Sequence, residues 1–197
     1  MNISKLTKTR GGRVLLAAVP TAVVLAMLGG GVAQGVVPVS FAVSGSTFKI
    51  RADELDGTGF SQYAGVAQQK DGTQHPVAIA NIKSAELHNL CQSMKMPGLP
   101  ISLLIHAGQD PKHPVTASDL QIGMDNLGGD ATFDGIRIGV DASTVSTDAK
   151  GTAGDFAMDS TDVKIMNLKQ VSWSTQASVF NLVGLKLNID TSGAECF

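Results

Sequence analysis

A chain of 197 residues has room for one domain and a targeting segment. Only 16% of the residues are charged, and four of the 15 Lys and Arg residues fall within the first 13 positions, so 11 remain against 17 acidic residues in the rest of the chain. That acidic remainder lacks the clustered basic side chains that neutralise phosphate, which argues against nucleic acid and anionic lipid headgroups as partners.

The N-terminal segment has the three parts of an export signal. Residues 1–13 carry only basic charges, residues 14–28 are apolar, and residues 29–35 are mostly small and Gly-rich. Within this last part, Ala33 and Gly35 have the small side chains that signal peptidase accepts, so we take them as the cleavage candidates.

We therefore predict a signal peptide or membrane anchor over residues 1–35 and an exported domain over residues 36–197. The anchor stays open as an alternative, because the charge-free stretch that starts at Val14 is about long enough to span a bilayer. In both cases the positive charges stay in the cytoplasm. The domain is then extracellular or on the outer face of the cytoplasmic membrane, in the cell envelope.

Along the exported part, residues 82–94 come first and fit either a helix, by apolar spacings of three and four, or a strand followed by a turn. Further stretches alternate apolar and polar residues, which is the period of a strand with one buried face. After Ile165 this alternation slips, with Leu168 on one parity and Val171 and Trp173 on the other, as at a β-bulge. The alternating stretches cover residues 101–107, 119–124, 136–141, 163–165 and 183–190.

Glycine-containing groups predict turns between these strands. We therefore expect short strands and a mainly β fold: a single β-sandwich or stacked-layer β domain, with a β-solenoid as the alternative, after an N-terminal hydrophobic helix. The predicted turns contain Asp56-Gly57, Lys70-Asp71-Gly72, Pro97-Gly98, Gly128-Gly129, Asp134-Gly135 and Ser192-Gly193.

The exported part contains two cysteines, Cys91 and Cys196. An even count in an exported chain predicts a disulfide, which would join the C-terminal residues to the middle of the domain. Two free thiols are the alternative.

Catalytic and metal-binding patterns are weak. The histidines lack the spacings of a metal site, and the S-x-x-K match from Ser46 to Lys49 lies in strand-like surroundings without its companion motifs. We therefore expect no catalytic, cofactor-binding or metal-ligating residues and no cofactor. The histidines are His75, His88, His106 and His113.

Four segments resemble an uncharacterised family of exported actinobacterial proteins with a domain of unknown function: residues 41–63, 86–93, 168–173 and 195–197. The resemblance covers nearly the whole chain. It implies an envelope location and a small multi-span membrane protein as a neighbour. Some members of the family are labelled cholesterol esterase.

Three functions follow as hypotheses. The first is a non-enzymatic cell-envelope or secreted protein that is structural or binds an apolar ligand or a membrane partner. The alternative is a lipid or sterol ester hydrolase, which would need a Ser, a His and an acid within hydrogen-bond reach. The second alternative is a self-assembling surface protein, a homo-oligomer whose exposed strand edges pair between copies.

Overall fold

The structure is a computed structural model that describes residues 42–197, so the predicted signal segment with Ala33 and Gly35 lies outside the described residues. The described part is mainly β, as predicted. Its strands are β1 (Ala42–Val43), β2 (Phe48–Gln69), β3 (Gln74–His88), β4 (Leu90–Lys95), β5 (Ser102–Ala107), β6 (Val115–Asp134), β7 (Arg137–Asp141), β8 (Phe156–Gln176), β9 (Val179–Asn181) and β10 (Lys186–Asp190), and a 3-10 helix covers Ala142–Thr144.

Four strands close into a barrel. β2 pairs with β3, β3 with β6 and β6 with β8, and β8 pairs back to β2. Three of these strands are long, with 22 residues in β2, 20 in β6 and 21 in β8, where the sequence predicted short ones. Because β8 is paired on both sides, the sheet forms a closed barrel instead of the two stacked layers of a sandwich.

The remaining strands extend the sheet from the barrel. On one side the order is β2, β4, β5, β10, and on the other side β7 pairs with β8. β1 runs parallel to β2, and β9 pairs with β6. Within residues 42–197, β10 and β7 are therefore the two ends of the sheet order.

Two residues with positive φ angles, Asn89 and Asn167, lie in segments for which the sequence made specific predictions. Residues 82–94 are strand, so the helical alternative is wrong: β3 and β4 follow one another through Asn89, which has a φ of 52°. In β8, Asn167 has a φ of 55°. It lies where the alternation slips between Ile165 and Leu168, and an extra residue there returns Leu168 to the buried face.

The turn predictions divide in the same way. Lys70-Asp71-Gly72 connects β2 to β3, as predicted. Asp56-Gly57 and Gly128-Gly129 instead lie inside β2 and β6, so those two predictions are wrong. At Gly57 the reason is close packing between strands, since a Cβ atom there would lie 2.7 Å from Ile82 Cγ2.

Candidate functional site

The closed section of the barrel is filled by its own side chains. A barrel of few strands is narrow, and its interior carries many small residues among the larger apolar ones, including Ala52, Ala85 and Ala117. A Cβ atom on Gly57 would lie only 3.0 Å from Val163 Cγ1 in addition to its contact with Ile82. This section is therefore a packed core, and a binding surface has to lie where the sheet extends beyond it.

A first row of residues leads from the core onto the extended sheet. Ile50 of β2 belongs to the core and lies opposite Gln92 of β4. Gln92 lies opposite Ile105 of β5, and Ile105 lies opposite Leu187 of β10. Directly paired residues share one face of a sheet. The row therefore carries the inner face of the barrel outwards to the edge strand.

A second row runs beside the first. Met94 of β4 lies opposite Leu103 of β5, and Leu103 lies opposite Ile189 of β10. We define the open face as the apolar residues of the two rows on these three strands: Met94, Leu103, Ile105, Leu187 and Ile189.

The open face is accessible to solvent. Leu187 is 57% exposed and Ile189 59% exposed, and the neighbouring Leu185 is 51% exposed. Met94, Leu103 and Ile105 are half-buried. Exposed apolar patches with a contiguous surface are typical of interaction sites in soluble domains.

A buried polar pair lies where the open face meets the barrel. Gln170 of β8 is opposite Ile50, and its amide donates a hydrogen bond to the Ser172 hydroxyl over 2.5 Å. Both side chains are buried, whereas Leu127, opposite Gln170 on β6, is 41% exposed. An apolar surface with a few polar groups at one end is the usual composition of a ligand site.

The reverse side of β4 is covered by the C-terminal strap, residues 191–197. Cys196 is joined to Cys91 of β4 by a disulfide with a Cα–Cα distance of 5.9 Å. The Cys196 amide donates to Ser93 Oγ over 3.1 Å. The strap thus holds the outer side of β4, and no element of residues 42–197 covers the opposite side, the open face.

Charge also fixes the strap. Glu195 lies 3.2 Å from Lys49 Nζ and 3.0 Å from Lys95 Nζ. Burial opposes ionisation of Glu195, but the hydrogen bonds from Lys95 and Lys49 outweigh it and lower the pKa of the carboxyl. Lys49 also donates to the Phe197 carbonyl and lies 5.1 Å from the centroid of its ring.

The β7 end of the sheet is held by a buried carboxylate. The Asp159 side chain is 2% exposed and forms a two-bond ion pair with Arg137 of β7. It also accepts from the Ser146 amide over 2.7 Å. The hydrogen bond from Arg137 lowers the pKa of Asp159 most, against the effect of burial. At the end of β7, Asp141 accepts from the amides of Ser143 and Gly154.

A second group of charges lies on the outer face of the barrel. Lys164 of β8 is 2.6 Å from Glu54 and 3.4 Å from Asp56. The hydrogen bond from Lys164 lowers the pKa of Glu54, whereas desolvation and the neighbouring Glu54 raise the pKa of Asp56. These side chains are partly exposed on the outside of a strand pair, where they form an ion-pair network across β2 and β8.

The histidines are dispersed. His75 stacks on Trp173 with ring centroids 3.8 Å apart, and His113 pairs with Asp110 over 2.8 Å. His88 and His106 are on β3 and β5. Among the hydrogen bonds of residues 42–197, none joins a histidine to a serine, and the lysine of the S-x-x-K match, Lys49, is engaged by the strap.

Two further properties concern the described residues alone. Within residues 42–197, no three His, Cys, Asp or Glu side chains are placed to hold a metal ion. In the same part of the chain, no helix has the length and apolarity needed to cross a membrane.

Sequence reasoning found the strands of this site but not the site. Residues 101–107 and 183–190 were predicted to be strands with one buried face, and they contain β5 and β10. The apolar face of β10 is instead exposed, because no described element covers it. One signal in the sequence could have indicated the exposure. The exported part has no clearly amphipathic helix that could cover the apolar faces of β5 and β10.

Comparison with known proteins gives a family and little else. The profile of a family of unknown function, DUF6230, matches residues 44–197. The chain is 28% identical over 81 residues to a hybrid PKS-NRPS synthetase 1 from Dothistroma septosporum, a match that covers 41% of this chain and 2% of that protein. A match that spans so little of the relative carries no information on binding or location here. No solved structure matches the chain.

Proposed function

Since this chain belongs to the DUF6230 family of unknown function, we propose its role from its own surfaces: a non-enzymatic cell-envelope or secreted protein that binds an apolar ligand, a lipid acyl chain, on the open face. The observation that carries the proposal is the exposure of Leu187 and Ile189, both more than half exposed, on a face that continues the barrel core. Full burial of a side chain of this size contributes about 1.5–3 kcal/mol.

The dimensions of the open face favour an acyl chain over a protein partner. Three strands lie roughly 10 Å apart from first to last, and two rows add roughly 7 Å along them. A stable protein interface needs about 800 Å² from each partner. The open face alone is much smaller than that, but it fits a segment of a single hydrocarbon chain.

The compartment is part of the proposal. The N-terminal sequence predicts export, and the disulfide between Cys91 and Cys196 fits an oxidising environment outside the cytoplasm. A multi-span membrane protein that covers the open face is the competing partner.

The test uses the full chain, expressed with its N-terminal segment and purified in the form the cell releases. Its lipids are extracted for mass spectrometry, and a fluorescent palmitate analogue is titrated into the lipid-free protein. We expect Ile105→Asn to weaken binding of the analogue about tenfold, because it places an amide in the middle of the open face. Ile105 lies on β5, away from the edge of the sheet.

The matched control is Ile138→Asn on β7, where the isoleucine is 66% exposed and far along the sheet order from the open face. It should leave binding unchanged. Absence of saturable binding, or equal loss in both variants, contradicts the proposal. Purification of a multi-span membrane protein with the chain, released by Ile105→Asn, would instead favour the membrane partner.

A further inference from the structure

We propose that a second copy of this chain pairs with β10, antiparallel and centred on Asn188, to form a closed dimer. β10 is an edge strand: on one side it pairs with β5, and no other strand of residues 42–197 pairs with its other side. Backbone N–H and C=O groups of alternate residues therefore face outwards and can pair with another strand.

The edge is regular along its length. All five residues of β10 have a partner on β5 in continuous register, from Lys186 opposite His106 to Asp190 opposite Ser102. No bulge or glycine interrupts it, and Lys186 to Ile189 are exposed. A regular, exposed edge of this kind is a template for a further strand.

The charges of β10 are complementary to those of its own copy. Antiparallel pairing about Asn188 places Lys186 opposite the partner's Asp190, and the same contact occurs twice by symmetry. Parallel pairing would place Lys186 beside the partner's Lys186, and a shift by two residues would place it opposite Asn188. Opposite charges across strands stabilise a pair, and like charges destabilise it. The charges thus specify one orientation and one register.

The apolar residues agree with the same register. Leu187 lies opposite the partner's Ile189 on the open face, and the two open faces join into one surface across six strands. At the ends, Asp190 uses Oδ1 to accept from the amides of Ser192 and Ala194. Its Oδ2 can therefore accept from the partner's lysine, and Lys186 is held otherwise by a single exposed bond of 3.2 Å to Gln109.

The symmetry makes the assembly a dimer. In an isologous contact the same edge is used by both copies, so pairing leaves no β10 edge free for a third. Two strands of five residues bury less than a standard interface, so we expect a reversible dimer in the roughly micromolar range or weaker. Dimerisation does not depend on the proposed lipid binding, since it is tested without lipid and by charge changes on the opposite face of β10.

The experiment is a charge exchange measured by sedimentation at low salt. Lys186→Glu places a carboxylate opposite the partner's Asp190, and Asp190→Lys places an ammonium opposite the partner's Lys186. Each variant alone should dimerise at least about tenfold more weakly than the original chain. An equimolar mixture of the two variants should recover the dimer, because both contacts then join opposite charges.

Asp190 also stabilises the turn into the strap, so Asp190→Asn serves as its control. The asparagine keeps an acceptor for Ser192 and loses only the charge, and its dimer should be weakened less than that of Asp190→Lys. Recovery of the dimer in the mixture would show that both variants are folded, because a misfolded chain could not restore the contact. A chain that is monomeric at every accessible concentration, or a dimer that neither charge reversal weakens, overturns the proposal.

A crosslink tests the register directly. Asn188 lies on the symmetry axis, so Asn188→Cys should form a disulfide between copies under mild oxidation. Leu187→Cys, which faces the partner's Ile189, should crosslink much less. Peptide mapping must find Cys91 still bonded to Cys196 in both variants. Equal crosslinking of the two would mean that β10 does not pair in this register.

Discussion

The two ends of the sheet have the same kind of sequence but differ in how their basic residue is held and in how regular the strand is. β7 reads RIGVD and β10 reads KLNID, each with a basic residue first and an acidic residue last. In β7 the charges are used within the chain: Arg137 is bound to the buried Asp159, and Asp141 accepts from the amides of Ser143 and Gly154. β7 is also irregular, with a register shift at Gly139, whose φ is 82°.

β10 lacks the ion pair and the irregularity, although its Asp190 accepts from the amides of Ser192 and Ala194 much as Asp141 does at β7. Its register with β5 is continuous, and its basic end has a single exposed hydrogen bond. Exposed apolar side chains occur at both ends, at Ile138 as well as at Leu187 and Ile189. Natural sheets protect edges with bulges, charges and covering loops. The difference indicates that β7 is an end built to stop pairing, whereas β10 and the open face are available for contact.

The largest effect is expected from removal of the disulfide. Cys91→Ala with Cys196→Ala releases the strap from β4 and opens a link between residues 105 positions apart. We expect a loss of about 4 kcal/mol in the free energy of unfolding, measured by denaturant titration. Hydrogen exchange should increase in β4, β5 and β10 and stay nearly unchanged in β7.

Reduction of the original chain is the matched control, and it should reproduce the exchange pattern of the double variant. An equal increase at both ends of the sheet would show that the strap supports the whole barrel. The disulfide would then not act on the β10 end of the sheet alone.

A smaller loss of stability is expected at the β7 end of the sheet. Asp159→Ala removes the acceptor for Arg137 and for the Ser146 amide, and it should cost about 2–3 kcal/mol in the free energy of unfolding. The control is Asp148→Ala in the connection between β7 and β8, where the aspartate is exposed. This substitution should change the free energy of unfolding little. If Asp159→Ala proves as mild as the control, β7 is not held by this ion pair.

The smallest change in the free energy of unfolding is expected in the closed section of the barrel, between the two ends of the sheet. Gly57→Ala places a methyl group 2.7 Å from Ile82 Cγ2, and overpacking of this kind costs about 1–2 kcal/mol. Gly128→Ala is the control, since a Cβ atom at Gly128 meets nothing within 4 Å. Thermal unfolding of the two variants measures the difference. A neutral Gly57→Ala would mean that the barrel interior has spare room and could itself admit a ligand.

The same glycines explain what the sequence could and could not predict. Alternation located β5, β7 and β10 and the slip at Asn167, because a strand with one buried face has a local period of two. Asp56-Gly57 and Gly128-Gly129 looked like turns, since glycine allows a turn as readily as a close approach between strands.

Closure of the barrel and exposure of the open face depend on pairings between distant parts of the chain. β2 meets β8 more than 90 residues away, for instance at Tyr63 and Ala157. Local patterns carry no record of such partners. Alternation alone therefore predicted a covered face at Leu187 and Ile189, although the structure leaves it open.

The most direct test of the difference between the two ends is hydrogen exchange of the chain with and without palmitate, at one protein concentration. We expect slower exchange in β5 and β10, residues 102–107 and 186–190, and unchanged exchange in β7, residues 137–141. Slower exchange confined to β7, or no change in either region while palmitate is bound, would contradict this expectation.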